Sequence, residues 1–384
     1  MSVPKITIVE EGMREGMQIE SADIPVGDKI RLLDALSATG LKNIVVGSFV
    51  SPKWVPQMAH IDEVVQGFTA AQAVTYSALA LNAQGVERSQ AYAPKITGPD
   101  PMIGETRIHL CDVFVQRNTA RTMADEIAAI PDIVTQAVLR GAKEAQISVN
   151  AAWGSNWLGE FSEGRRMELL QLQHDAWTNA GVPVTRVHLG DPMSWNTPQA
   201  MRSQIRRIKQ VWPDITTFHL HLHNARGMAP ISAYTAMSEL DDGYELIVDT
   251  AIGGLGGCPY CGNGRLTRMI PTEDFVHLLE SEGIETGVDL KKLIEAVVLA
   301  EEVVGHELWG HVSKAGPRPA GDDVYAMDMP FIQTPAEAQH FRLGPSTYEG
   351  SLAPWKQTVS SAARDEYEAT HFELALAQTK GAGT

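Results

Sequence analysis

The chain has 384 residues, 44% of them hydrophobic, which is ample for one large α/β domain with extensions or for two domains. A formal net charge of −16 argues against a general nucleic-acid or membrane-surface role and leaves room only for a local basic pocket that takes an anionic substrate. Three cysteines (Cys111, Cys258, Cys261), no signal-like N-terminal segment and no apolar run of about 18 residues or more together lead us to expect a cytoplasmic protein that does not span a membrane.

In chain order, short apolar runs alternate with longer helical patterns. "KITIVEE" (5–11) reads as the first strand, and "DKIRLLDALSATG" as a helix closed by a glycine. Strands are expected at 43–49, 74–81 and 107–114. The long helix "RTMADEIAAIPDIVTQAVLRGA" is expected to break near Pro131. Strands follow at 144–152 and 185–191. The helix "TPQAMRSQIRRIKQVW" has Thr197 to cap it and Pro198 in its first turn. The last two strands are expected at 216–223 and 245–252. Then come the helix "TEDFVHLLESEG", with Thr272 as its expected cap and Gly283 after its last turn, and the helix "DLKKLIEAVVLAEEVVG".

Eight β-then-α units in series predict a TIM (β/α)8 barrel, carried by a catalytic domain of residues 1–305. A doubly wound open sheet is the alternative, weakened because no glycine-rich phosphate loop follows the first strand. Past about residue 312 the chain turns rich in Pro, Gly and aromatic residues. Residues 306–384 are read as a helical and irregular C-terminal extension packing on the barrel or on a neighbouring subunit.

In a barrel of this kind chemistry sits at the C-terminal ends of the strands. The clearest signal there is "HLHLHN" (219–224). Residues two apart on a strand share a face, so His221 and His223 can bind one divalent cation, whereas His219 lies deeper and reads as core. Oxygen ligands could come from Glu10, Glu11 or Glu15 after the first strand, Asp191 after the sixth, or Asn263 after the eighth. Spacing alone does not choose among them. Mixed nitrogen and oxygen ligands suit Mg²⁺, Mn²⁺ or Zn²⁺ acting as a Lewis acid. The pair Cys258-x-x-Cys261 has thiol-exchange spacing. It lies in a glycine-rich loop late in the chain, however, and no second pair is present to build a structural zinc site, so the thiol-exchange look is read as incidental and Cys261 as either a neighbour able to trap Cys258 in a disulfide or a small residue in an altered loop.

Several separated motifs then carry a resemblance. "REGMQIE" (14–20), "SFVSPKWVPQM" (48–58), "LGDPMSWNTP" (189–198), "HLHNARGMA" (221–229) and "GLGGCPY" (254–260) occur in order, and "TEDFVHLLESEGIETGVDL" continues the match. Over about residues 5–305 the sequence resembles the 3-hydroxy-3-methylglutaryl-CoA lyases within the metal-dependent TIM-barrel lyase and Claisen synthase superfamily. The resemblance implies that Glu15, His221, His223 and Asn263 hold the metal. It implies that Arg14 neutralises enolate charge, that Asp191 steers or removes the hydroxyl proton, and that Cys258 protonates the departing carbon. Gln18, Ser48, Lys53, Arg226 and Arg265 are the candidate substrate-binding residues. Three departures stand out: Glu15 replaces an aspartate, Val45 replaces a second-strand acid, and the loop after Cys258 is two residues longer.

The activity expected is metal-dependent cleavage of a carboxylate-bearing 3-hydroxyacyl-CoA, 3-hydroxy-3-methylglutaryl-CoA or a citramalyl-CoA-like analogue, to an acyl-CoA and a keto acid. Two other readings are an aldolase or condensing enzyme acting on a free hydroxy or keto acid, and a redox-responsive barrel that uses the Cys258–Cys261 pair. A homo-oligomer is expected by analogy.

Overall fold

The computed structural model describes residues 2–80, 83–320 and 324. The expected C-terminal extension, residues 306–384, therefore lies outside the described residues beyond Ala320, Val324 excepted. The barrel unit runs to Ser313. It includes residues 306–313, which are fastened to the barrel by His306 on Glu20 (3.0 Å) and by His311 on Asp274 (2.8 Å).

Eight parallel strands form one sheet: β1 (Lys5–Glu10), β2 (Asn43–Ser48), β3 (Thr75–Leu79), β4 (Ile103–His109), β5 (Glu144–Asn150), β6 (Val184–Asp191), β7 (Thr217–Leu222) and β8 (Glu245–Thr250). β1 pairs with both β2 and β8, so the strands follow the cyclic order of a TIM barrel. Between β3 and β4 the described residues form no ladder, and Ser77 of β3 bridges instead to Thr97.

The alternation along each strand explains where the core sits. In β7, Phe218, Leu220 and Leu222 are fully buried and face the surrounding helices, while His219 and His221 take the opposite, inward face. β4 to β6 obey the same rule. Ile108, Ile147, Val149, Val187 and Leu189 pack outward with Trp177 and Ile205 in the layer between strands and helices. The apolar core is thus the strand–helix shell, and the inward face is left to polar side chains.

Local expectations were met and missed for identifiable reasons. Thr197 caps the helix Pro198–Val211, accepting from the Ala200 N–H at 3.2 Å. The helix Met123–Arg140 runs unbroken through Pro131. That proline is exposed, so the carbonyl it leaves unpaired can bond to water. Thr272 does not cap its helix. Its hydroxyl turns inward and donates to the Glu10 carboxylate, with Thr250 Oγ1 2.8 Å from it. The fourth strand begins at Ile103 and ends at His109, earlier than the apolar run implies. Cys111 then caps the helix Asp112–Thr119 by accepting from the Phe114 N–H. The loop "WGSNWLGE" contributes a small hairpin, Gly154–Ser155 against Glu160–Gly159.

Candidate active site

Directly after β1 the chain makes one wide turn, Gly12–Gly16, in which the Gly16 N–H reaches back to the Glu11 carbonyl. Such π-type turns recur at functional sites because they re-aim side chains that a regular helix would space differently. This turn sends three neighbouring carboxylates to three different tasks. Glu10 is fully buried and accepts from the Gly12 and Ile252 N–H groups (2.8 and 2.9 Å) and from Thr272. It fastens the first strand to the loop after the eighth. Glu11 accepts from Arg14 Nε at 2.7 Å. Glu15 pairs with Arg14 Nη1 and also faces His223, with Oε1 3.6 Å from Nε2.

The grouping that spacing left open is therefore visible. One ligand atom from each of Glu15, His221 and His223 lies within 4.8 Å of the other two. The rings of His221 and His223 stand edge to face at 5.3 Å. The group's chemistry fits a divalent cation. Burial pushes the His223 imidazole down to about 4, so it is neutral with a lone pair to give. Burial acts to raise the Glu15 carboxyl, but Arg14, His223 and His221 outweigh it and hold it below its ordinary value, ionised. His221 Nδ1 is bound to Asp249 Oδ2 at 2.8 Å. Burial acts to lower the His221 imidazole, and Asp249 reverses this and raises it. The Asp249 carboxyl itself is held well below its ordinary value, because His219 and His221 outweigh its burial. An ionised Asp249 makes Nδ1 the donor and leaves Nε2 as the ligand atom, the carboxylate–histidine arrangement common behind metal ligands.

Arg14 is half-buried between Glu11 and Glu15. Burial acts to lower its guanidinium, and the two carboxylates outweigh that and raise it, so it stays charged. The structure thus brings Arg14, Glu15, His221 and His223 together at the strand ends. Asp249, a site residue the sequence reading passed over, stands behind them. Its signal was present: it occupies the last inward position of β8, two residues past Ile247.

The other candidates are distributed around this centre. Asp191 is fully buried. One carboxylate oxygen accepts from the Trp195 N–H (3.0 Å) and the other from the N–H and side-chain amide of Asn196 (2.6 Å each), while its backbone carbonyl accepts from the His223 N–H. The carboxylate holds the turn that follows β6. Ser48 is buried and donates to the Leu79 carbonyl at 3.3 Å. Gln18 is half-buried, and Lys53 is exposed above the Trp54 ring. Arg226 donates to the Met193 and Ser194 carbonyls and lies over Trp195. Arg265 pairs with Glu20 at 3.0 Å.

The glycine-rich loop lies against the centre. Gly256 sits at φ +127°, where a β-carbon would come 2.9 Å from Met269 Cγ and 3.5 Å from Glu15 Cγ. Cys258 is buried, its N–H donates to Thr267 Oγ1 at 2.6 Å, and its sulfur is joined to Cys261 in a disulfide with Cα atoms 5.3 Å apart. Of the two readings of Cys261, the structure shows the neighbour that traps Cys258 in a disulfide, so the Cys-x-x-Cys spacing is not incidental. The segment alongside His223 and Asn224 is Thr267–Met269. Asn263 is half-buried in the turn before it, with its backbone carbonyl accepting from the Leu266 N–H.

Fold and centre together define a TIM-barrel enzyme with a carboxylate and two imidazoles converging beside a half-buried arginine. Comparison with known proteins agrees. The HMGL-like family model matches residues 5–299. A 3-hydroxy-3-isohexenylglutaryl-CoA/hydroxy-methylglutaryl-CoA lyase of Pseudomonas aeruginosa is 35% identical over 82% of this chain and 98% of its own length. The mitochondrial hydroxymethylglutaryl-CoA lyase of Mus musculus is 32% identical over 77% of this chain and 85% of its own. An HMG-CoA lyase of Acinetobacter baumannii, solved with coenzyme A and 3-methylmalate, superposes with a TM-score of 0.65 at 26% identity, covering 86% of this chain and 98% of that one. The chain belongs to the HMGL-like family, and it is a carbon–carbon lyase. Among the described residues no helix is long and apolar enough to cross a membrane.

Proposed function

We propose that this lyase cleaves a carboxylate-bearing 3-hydroxyacyl-CoA, of the 3-hydroxy-3-methylglutaryl or citramalyl type, to an acyl-CoA and a keto acid, with a divalent cation at Glu15, His221 and His223. The observation that carries the reading is the convergence of those three side chains beside Arg14 at the C-terminal strand ends. The relative solved with coenzyme A and 3-methylmalate supports a thioester substrate with an acidic acyl group. Mg²⁺, Mn²⁺ and Zn²⁺ all suit this donor set, and Asn263 is the proposed fourth ligand.

Cleavage of a carbon–carbon bond beta to a thioester requires loss of a hydroxyl proton and accommodation of enolate charge. A bound divalent cation supplies Lewis-acid polarisation of the hydroxyl and the carbonyl oxygen. The chain's own residues do the rest. Arg14, held by Glu11 and Glu15, presents a fixed guanidinium where negative charge grows on the enolate oxygen, and it needs no reorganisation as the charge develops. Asp249 keeps His221 in one tautomer and one orientation. Asp191 is the proposed steering group for the hydroxyl proton, acting through the turn it holds. Cys258, once its disulfide to Cys261 is reduced, is the proposed thiol that delivers a proton to the departing carbon, its reference pKa of about 8.5 suiting that task near neutrality. Gln18, Ser48, Lys53, Arg226 and Arg265 remain the proposed contacts for substrate.

The test is direct. Purified protein in a thiol reductant is incubated with Mg²⁺, Mn²⁺ or Zn²⁺ and a panel of 3-hydroxyacyl-CoAs, and released acetyl-CoA or propionyl-CoA is measured by mass spectrometry. Thioester cleavage that His221→Ala and His223→Ala each abolish is expected. Turnover of free hydroxy acids with every thioester left intact would sink the proposal in favour of an aldolase.

A further inference from the structure

One row of the barrel interior lies below the centre just described. Arg107 of β4 is in register with Ser148 of β5, Ser148 with His188 of β6, and His188 with His219 of β7. The four side chains share the inward face. Thr106, the neighbour of Arg107, accepts the indole N–H of Trp177 from the helix Glu163–Asn179 at 3.0 Å and so points outward, which turns Arg107 inward. From Ser148 onward the row is joined by side-chain contacts. Ser148 Oγ meets His188 Nδ1 at 2.8 Å, the His188 and His219 rings stand edge to face at 4.8 Å, and His219 Nε2 meets Asp249 Oδ1 at 2.8 Å. The other oxygen of Asp249 holds His221.

Arg107 is the exposed end of this row. Among the described residues no carboxylate lies within ion-pair distance of it and no acceptor takes its protons, in contrast to Arg14, which holds two carboxylates. A guanidinium with no counter-ion at the open end of an inward-facing row can take a carboxylate, because its planar fork matches two oxygens at once. The same row could be read as a second cation site, since His188, His219 and Asp249 each offer an atom within 4.8 Å of the others. Two features oppose that: both Asp249 oxygens are already engaged, and Arg107 puts a positive charge at the row's end. Its field, after burial and His219, adds to what holds His188 well below its ordinary value.

We propose that Arg107 is a specificity-determining residue that receives the free carboxylate of the substrate's acyl portion, one layer below the Glu15–His221–His223 centre. The proposal rests on the reading of that centre as the place where the other end of the acyl group is held. In β7 the two levels are two residues apart, His219 and His221, or roughly 6.6 Å at about 3.3 Å per residue. A charged guanidinium at that level selects acyl groups ending in a carboxylate over those ending in a methyl or an amide.

The test uses full-length protein loaded with Mn²⁺ and two probes, glutarate and its monoamide glutaramate, titrated calorimetrically. Wild type is expected to bind glutarate at least 10-fold more tightly than glutaramate. Arg107→Gln should bring the two within about 2-fold of each other, Arg107→Lys should restore part of the difference, and Mn²⁺ affinity should stay unchanged in both. A wild type that does not distinguish the probes, or an Arg107→Gln variant that still does, overturns the proposal. So does a second Mn²⁺ equivalent that His188→Ala removes, which would make the row a cation site. A protein that discriminates the probes through Arg107 yet leaves every thioester intact would instead refute the proposed lyase substrate and keep this inference.

Discussion

At the residue scale the site turns on partners that no single motif displays. Asp249 neither neighbours His221 in sequence nor belongs to its motif, yet it decides which imidazole nitrogen is free. Asp249→Asn should therefore weaken Mn²⁺ binding about 10- to 100-fold, read by calorimetry, while the fold survives. Unchanged affinity would reduce Asp249 to packing. The cysteines make a second residue-scale case. Under reducing conditions Cys258→Ser should lower kcat by about 10²- to 10⁴-fold, as loss of a positioned general acid does, and Cys261→Ser should leave kcat within a few-fold of wild type. Equal losses in the two variants would mean that the pair acts together, and the proton-donor assignment would go.

At the scale of elements, the loop 254–265 does its work through glycines that permit close approach. Gly256 is in the left-handed half of backbone space, and its missing side chain makes room for Met269 and for the stem of Glu15. Gly256→Ala adds backbone strain of about 1–3 kcal/mol and pushes against Met269, the residue bridged to His223. Turnover should fall at least 10-fold, and a steady-state assay at saturating Mn²⁺ checks it; a variant with wild-type kcat would show that the packing of the loop on Met269 does not bear on the centre. Helix ends show how far local signals reach. Thr197 caps as its Thr-Pro start implies, because a cap needs only its own first turn. Thr272 has the same local credentials, but a buried carboxyl at Glu10 competes for its hydroxyl and wins.

At the scale of the whole molecule, two buried carboxyls tie the ends of the barrel and give its stability a pH dependence. Burial pushes the Glu10 carboxyl up to about 7. Burial, with Asp274 adding to it, pushes Glu273 up to about 8, where it accepts from the Gly253 N–H at 2.9 Å. In the unfolded chain both titrate near about 4.3. Between those limits the folded protein holds more protons than the unfolded one. Their contribution is therefore full below about pH 4.3 and is lost as pH rises toward 8, at up to about 1.4 kcal/mol per pH unit for each group. Urea unfolding between pH 5 and 8 should show stability falling with pH, and Glu273→Gln should make that fall shallower; an unchanged slope would remove Glu273 as a source.

The sequence by itself determined the eight β-then-α units, the inward placement of alternate histidines in "HLHLHN" and the family. Each of these is written in periodicity or in a contiguous motif. Only the tertiary structure decided that Asp249 stands behind His221, that Cys258 is joined to Cys261, and that Arg107 ends a row through Ser148, His188 and His219, and it shows Glu15, the carboxylate the family resemblance implied, facing the imidazoles. The reason is the geometry of a parallel barrel. Neighbours across the sheet are separated by a helical crossover of tens of residues, so their register is set by how the helices pack on the shell, and a slip of one residue would send every inward side chain outward.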